Sequence, residues 1–378
     1  MVAVRLGLCF YSSAIAENYA EDSETFSLLK SMNKEYPKTF SLLKSCLQDA
    51  DKNVRRSAVF AIAEYHQDNP EALPLLKSSL QDEDEIVRRF AVYAIARNYQ
   101  DNPETLPLLK SCLQDEDASV RSAAVRTIAI NSKKDPETLA LFKSCLEDKD
   151  GRVRRVAVYA IAKNYNKDPQ TLPFLKSCLR GEDAYMREEA VDAIARHYKE
   201  YPETFPLVKS CLQDEHENVR RNAVFAIAEY YVEDPEALPL LKSCLQDEHE
   251  NVREAAVREI AECYREDAET FLLLKSCAQF DNNYWVRDAA LDALGTDWAA
   301  EEGMFDLFYN CALNDPFVRE KDWQQNPRQT ALAILLQYYY DAPRTLELLR
   351  DRAENDPDEK LRQYAQEKLK RWENLQSF

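Results

Sequence analysis

Glycine is nearly absent from this chain. Of 378 residues only Gly7, Gly151, Gly181, Gly295 and Gly303 are glycines. No two lie close enough to form a loop that cradles phosphate, so G-x-G-x-x-G and G-x-x-x-x-G-K-[ST] are both missing. Tight hairpins need residues that tolerate positive φ, so an all-β fold is disfavoured. No apolar run approaches the ~20 residues that a membrane span needs. Charged residues make up 31% and apolar ones 45%, enough to bury a core. The formal net charge is −18.

The start of the chain imitates a secretory leader, with Arg5, an apolar stretch from Leu6 to Tyr11, and Ala14-Ile15-Ala16. The same motif returns far inside the chain. Ala14-Ile15-Ala16-Glu17-Asn18-Tyr19 is echoed by Ala94-Ile95-Ala96-Arg97-Asn98-Tyr99 and again from Ala160 to Tyr165. The segment is therefore read as a degenerate repeat helix.

What the chain has in abundance is periodicity. Cys112, Cys145, Cys178, Cys211, Cys244 and Cys277 follow one another at intervals of 33 residues, and the column extends back to Ser79 and Cys46. Pro37, Pro70, Pro103, Pro136, Pro169, Pro202 and Pro235 keep the same period, as do Arg55, Arg88, Arg121, Arg154, Arg187, Arg220 and Arg253. Seven regular units thus occupy 37–267.

The unit at 70–102 shows the pattern of each. Asn69 can cap, and Pro70 and Glu71 suit a first helical turn. Leu73, Leu76 and Leu80 form one apolar face, and Pro74 predicts that helix A begins or kinks there. Gln81-Asp82-Glu83-Asp84-Glu85 is a polar turn. Val87, Ala91, Val92, Ile95 and Tyr99 form the stripe of helix B. Neither stripe of such a hairpin can be buried alone, so neighbours must stack.

Pro74, Asp82, Val87 and Arg88 have the spacing of the HEAT repeat. The run Asp-x-x-x-x-Val-Arg-x-x-Ala-Val-x-Ala-Ile from Asp82 to Ile95 resembles the phycobilisome-lyase type of HEAT-like repeat. The resemblance covers 37–300. It implies an all-α fold, an α-solenoid of stacked antiparallel helix pairs. It also implies an inter-repeat ladder of Asp49, Arg55, Asp82, Arg88, Asp115, Arg121, Asp148, Arg154, Asp214, Arg220, Asp247 and Arg253. Gly181 and Met186 interrupt the Asp and Val columns, and the ladder should be weakest there. The ankyrin signature T-P-L-H-x-A and the TPR signature W-x-x-L-G are missing.

The ends depart from the period. Phe26 and Phe40 hold one repeat position but are only 14 apart, so residues 1–36 read as a repeat remnant of an array cut mid-repeat. Residues 268–341 read as irregular repeats: Ala268 replaces the proline, one residue is added before Val286-Arg287, and Glu320 to Asn326 is inserted after Val318-Arg319. Residues 342–378 read as a capping hairpin that keeps Leu361-Arg362 and ends in Lys368, Lys370 and Arg371.

Catalytic and metal readings fare poorly. Repeat-equivalent cysteines on helices ~8–10 Å apart cannot form disulfides, and a column of thiols does not converge on one ion. They read as small apolar residues kept reduced, which suits a cytoplasmic protein. Cys9, Cys263 and Cys311 fall outside the column. His216-Glu217 and His249-Glu250 resemble the iron-binding dipeptides of deoxyhypusine hydroxylase. They precede the Val-Arg rather than follow it, and number two rather than four, so they read as solvated turns. His66 and His197 read as helix-end residues. Acidic runs recur in nearly every unit and read as solubilising turns. No metal, cofactor or catalytic residue is expected.

Binding is expected where the repeats differ. The columns of Val87, Arg88, Ala91, Val92 and Ile95 hardly change. Three other helix-B columns do: Phe60, Tyr93, Arg126, Tyr159, Asp192, Phe225, Arg258; then Glu64, Arg97, Ile130, Lys163, Arg196, Glu229, Glu262; and Arg56, Arg89, Ser122, Arg155, Glu188, Arg221, Glu254. Residues four apart share a helix face, and in HEAT arrays helix B lines the concave side. Phe60, Tyr93, Arg97, Arg126, Arg155, Tyr159, Lys163, Asp192, Arg196, Phe225 and Arg258 are the candidate contacts, of types enriched in interface hot spots. Trp323 in the insertion is a secondary one.

The first repeats of this face are basic and the later ones mostly acidic, which suits a protein or peptide with complementary charge patches. Nucleic acid is disfavoured in so acidic a chain. The leading function is a non-catalytic scaffold, a monomer or part of a hetero-complex. The family resemblance implies an alternative, bilin attachment or detachment with a phycobiliprotein partner. A metal-dependent hydroxylase is a weak third.

Overall fold

The computed structural model describes residues 38–131 and 136–376, with side chains followed from 40 to 372. The readings made on residues 1–37, Cys9 among them, lie outside the described residues. Among the described residues there are twenty α-helices, one 3-10 turn at Cys211–Gln213 and no strand. The fold is all-α, an array of helical hairpins. The chain divides into two compact units, Met1–Thr171 and Leu172–Phe378.

The first unit carries α1 (Lys38–Cys46), α2 (Lys52–Tyr65), α3 (Ala72–Ser79), α4 (Glu85–Asn98), α5 (Thr105–Cys112), α6 (Ala118–Asn131), α7 (Pro136–Cys145) and α8 (Gly151–Tyr165). Helix α9 (Thr171–Cys178) begins at the division. The second unit continues with α10 (Ala184–Tyr198), α11 (Thr204–Ser210), α12 (Glu217–Tyr230), α13 (Ala237–Cys244), α14 (Glu250–Cys263), α15 (Thr270–Phe280) and α16 (Tyr284–Asp297). It closes with α17 (Met304–Asn314), α18 (Pro327–Tyr338), α19 (Pro343–Asn355) and α20 (Glu359–Gln376). Odd-numbered helices are the A helices and even-numbered ones the B helices.

Local chemistry sets the boundaries. Asn69 accepts from the Glu71 amide through Oδ1 and from the Ala72 amide through its carbonyl, both at 2.9 Å. That turn delays helix A past Pro70 and Glu71. Helix α3 starts at Ala72, two residues before Pro74 rather than at it. Pro74 thus falls in the first turn, where its missing N–H has no intrahelical partner to lose. Helix α4 starts at the Asp84 cap, whose carboxylate accepts from Ile86 N at 2.9 Å. It ends at Asn98, leaving Tyr99 just beyond it.

Packing follows the constant columns. Val87, Ala91, Val92 and Ile95 are at most 1% exposed. Burying each large aliphatic among them contributes ~1.5–3 kcal/mol. Within each unit consecutive B helices pack directly on one another: α2, α4, α6 and α8 in the first, and α10, α12, α14, α16 and α18 in the second. Consecutive A helices touch far less. Fully buried Ala58, Ala91, Ala124 and Ala157 let the B backbones approach closely. Gly295 takes this economy further, because a Cβ there would lie 2.6 Å from Ile334 Cδ1.

Each junction within a unit is also clamped by charge. In the first unit Arg55 grips Asp82, Arg88 grips Asp115 and Arg121 grips Asp148. In the second the pairs are Arg187–Asp214, Arg220–Asp247, Arg253–Asp281, Arg287–Asp315 and Arg328–Asp356. In all of them Nε and Nη2 donate to the two carboxylate oxygens at 2.6–3.0 Å. Nη1 donates to backbone carbonyls in the arginine's own A–B turn, for example Asp82 O and Glu83 O from Arg88 at 2.8 and 3.1 Å. Arg154 keeps the bond to Asp148 O at 2.6 Å, and Asp49 accepts from Asp51 N at 2.8 Å. Gly181 has no carboxylate to offer, but its carbonyl still accepts from Arg187 at 3.0 Å.

The inserted stretch Glu320 to Asn326 lies in the loop before α18, but the Val318-Arg319 dipeptide ahead of it does not supply the ladder arginine. The ladder arginine of that repeat is Arg328, on α18, and not Arg319. Arg319 instead braces the inserted loop, bonding Gln324 O at 2.7 Å, Asp358 at 3.0 Å and Gln329 at 3.1 Å. A two-residue motif cannot show on which side of it residues were added. The partner aspartate, Asp356, does.

Candidate protein-binding face

The clamp and the alanine column hold each B helix with one side turned inward. On the other side lie the variable columns. Phe60, Tyr93, Arg126, Arg155, Tyr159, Asp192 and Phe225 are half-buried, and Arg97, Lys163, Arg196 and Arg258 are exposed. The constant Arg55, Arg88, Arg121, Arg187, Arg220 and Arg253 are buried.

In the first unit this face is basic and aromatic. Lys163 Nζ lies 5.3 Å from the Tyr159 ring centroid and 3.1 Å from its hydroxyl. The Arg56 guanidinium sits 5.6 Å from the ring centroid of Phe90. Arg97 meets Glu64 at 3.7 Å. In the second unit the charges are mixed and largely self-neutralised. Arg196 bonds Asp192 at 3.0 Å, and Arg258 pairs with Glu254, both within one helix.

Glu259 was not among the expected residues. It stands in a column otherwise filled by Ala61, Ala94, Thr127, Ala160, Ala193 and Ala226. Burial, then the nearby Glu262, Glu229 and Glu254 carboxylates, push its carboxyl up to about 7. The signal was legible as a lone carboxylate in a column of small residues.

The other chemical candidates resolve into structure. His216 and His249 cap helices α12 and α14, each accepting through Nδ1 from the amide two residues on, at 3.2 Å. They are the counterparts of Asp51, Asp84 and Asp150, rather than merely solvated turn residues. Among the described residues no cluster of three His, Cys, Asp or Glu side chains could hold a metal ion.

The column thiols are packing groups. Cys112, Cys178, Cys211 and Cys244 are buried, with Cys46, Cys145 and Cys277 half-buried. Desolvation pushes Cys112, Cys145, Cys244 and Cys277 up to about 11, and Cys178 and Cys211 to about 12. Ser79 in the same column donates to Leu75 O at 3.1 Å, as Cys211 does to Leu207 O at 3.3 Å. Cys311 belongs to this column after all. It is the eighth residue of α17, as Cys277 is of α15, and the added residue shifted its number by one.

A second, exposed ladder on the A helices also escaped the sequence reading. Lys44–Glu71, Lys77–Glu104 and Lys110–Glu137 repeat it in the first unit, and Lys176–Glu203, Lys209–Glu236 and Lys242–Glu269 in the second. In the inserted loop Trp323 is 62% exposed, 6.1 Å from the Trp285 ring.

Stacked helical hairpins with an inter-repeat Arg–Asp clamp define an α-solenoid. The chain belongs to the HEAT repeat family, whose model matches residues 40–129, 106–195 and 204–295. Among solved structures, yeast importin-β (Kap95p) is similar at 14% identity and TM-score 0.50, over 85% of this chain and 49% of its own. YibA of E. coli is 22% identical, TM-score 0.45, over 73% of this chain and 98% of its own. The CpcE–CpcF complex of phycocyanin lyase from Nostoc is 18% identical, TM-score 0.36, over 64% and 94%. At 14% identity the likeness to importin-β is one of fold. No curated protein matches the chain. No helix among the described residues is long and apolar enough to cross a membrane.

Proposed function

We propose that the chain is a non-catalytic scaffold holding a partner protein or peptide on the outward face of its B helices. One observation carries this reading. The inward columns repeat almost unchanged and are buried, whereas the outward columns change residue class from repeat to repeat while keeping aromatic rings partly open to solvent. Solubility alone would place no aromatic ring at Tyr93, Tyr159 and Phe225. Large rings carry much of the binding energy at interfaces. The close packing of consecutive B helices, with A helices farther apart, supports a B side that is the inner side of each unit. The test is Tyr93→Ala combined with Tyr159→Ala. Captured partner should be lost while far-UV circular dichroism is unchanged; retention of the partner would move the binding face elsewhere.

A further inference from the structure

We infer that the B face of the first unit is a groove for an acidic, apolar-anchored peptide segment. This rests on the binding reading above and adds the chemistry of the partner. On the three variable columns of α2, α4, α6 and α8 stand six cations, Arg56, Arg89, Arg97, Arg126, Arg155 and Lys163, against one carboxylate, Glu64. The chain as a whole carries −18. A cation-rich stripe on so acidic a protein is a concentrated departure from its average.

How the cations are neutralised separates this face from its counterpart in the second unit. There, Arg196 and Arg258 each have an intrahelical carboxylate four residues away. Here the equivalent positions are not filled by acids. Arg89 and Arg126 are half-buried and have no carboxylate partner among the described residues. Partly desolvated guanidinium groups without counter-charges favour an anion brought by another molecule, and Arg binds carboxylates bidentately.

The rings between the cations decide the class of anion. Tyr93 and Tyr159 are half-buried on the same stripe and offer flat apolar contact. The stripe is bordered by the acidic A–B turns, such as Asp82-Glu83-Asp84-Glu85 and Asp115-Glu116-Asp117. Those carboxylates repel the many phosphates of a duplex, which needs a continuous basic track. A single peptide strand carries far fewer charges and can cross the B helices beside those turns. Neighbouring helices lie ~8–10 Å apart, and an extended chain advances ~3.3 Å per residue. Successive arginines thus face every third residue or so of the bound segment.

The test selects a random 12-residue peptide display library against the full chain, against Arg89→Glu/Arg126→Glu, and against Tyr93→Ala/Tyr159→Ala. Arg89 and Arg126 anchor no ion pair, and thermal melts of both variants verify their folding. The inference expects enriched peptides with Asp or Glu about three residues apart beside an apolar residue. Binding of the synthesised winner should weaken at least tenfold in the charge-reversed variant, fall with added salt, and resist excess 20-base-pair duplex DNA. Peptides that need Tyr93 and Tyr159 but ignore the charge reversal would overturn this inference and leave the scaffold reading standing. Peptides indifferent to both variants, or no enrichment at all, would overturn both. Displacement by duplex DNA would make the stripe a nucleic-acid site and sink the peptide assignment.

Discussion

Arg121 holds Asp148 across a repeat junction with two parallel hydrogen bonds, each 2.7 Å. The side chains are 5% and 13% exposed. Burial alone would raise the Asp148 carboxyl, but the bonds from Arg121 and the Asp150 amide win and hold it below the ordinary carboxylate range. Such a pair contributes less net stability than its geometry suggests, because both charges were taken from water. What it specifies is register, since each arginine bonds its own turn and the next.

Asp148→Ala should therefore destabilise strongly, by about 3–5 kcal/mol, because it strands a buried guanidinium. Replacing both partners together, Arg121→Met with Asp148→Leu, should cost far less. Urea unfolding monitored by circular dichroism would separate the two cases. Because Asp148 titrates low in the fold, its contribution is complete above the unfolded value near 4 and vanishes as pH drops through the lower folded value.

Glu259 has the opposite sign. Its folded carboxyl, near 7, binds a proton that the unfolded chain has released. Stability should fall as pH rises from about 4.5 to about 7 and level off beyond. Glu259→Ala, which restores the residue type of its column, should flatten that slope and stabilise the protein at neutral pH by about 1–2 kcal/mol after allowance for solvent screening. Thermal melts from pH 4 to 8 would reveal this, and an unchanged slope would contradict it.

The exposed Lys–Glu ladder should matter little. Lys209 is 43% exposed and its partner Glu236 59%. Lys209→Ala should cost less than about 1 kcal/mol, and the loss should shrink further in 0.5 M salt. A loss as large as that of Asp148→Ala would mean that these pairs act as a cooperative network.

The column cysteines should be chemically quiet. With thiols titrating near 11 or 12, almost no thiolate exists at pH 8. Cys112, Cys178, Cys211 and Cys244 should resist iodoacetamide in the folded protein and react once urea is added, as read by peptide mass mapping. Cys112→Ser should be tolerated within about 1–2 kcal/mol, since Ser79 already satisfies its hydroxyl through a carbonyl one turn back.

Much of this architecture can be read from spacing. The proline, arginine and cysteine columns disclose the hairpin unit because every repeat meets the same neighbours and so needs the same side chains. Features that depend on a single repeat are harder to read. Arg319 follows a valine, as most ladder arginines do, yet Arg328 reaches Asp356, because an insertion changes position without changing the dipeptide. His216 looks like half of a metal dipeptide, but an imidazole acceptor can do the work of an aspartate at a helix start. The half-exposed rings of Tyr93 and Tyr159 were visible as variation, while the pairing that distinguishes Arg196 from Arg126 needed coordinates.

From Arg55 to Asp82, from Arg88 to Asp115, and from Arg121 to Asp148, grip and target are always 27 residues apart. These three joints of the first unit are thus interchangeable with one another. Excising 33 consecutive residues beginning after Arg88 would present that arginine with Asp148 at an unaltered separation. Shortening or lengthening this unit is therefore a matter of cut and splice, and its outward surface could be reassembled module by module without renegotiating the interior.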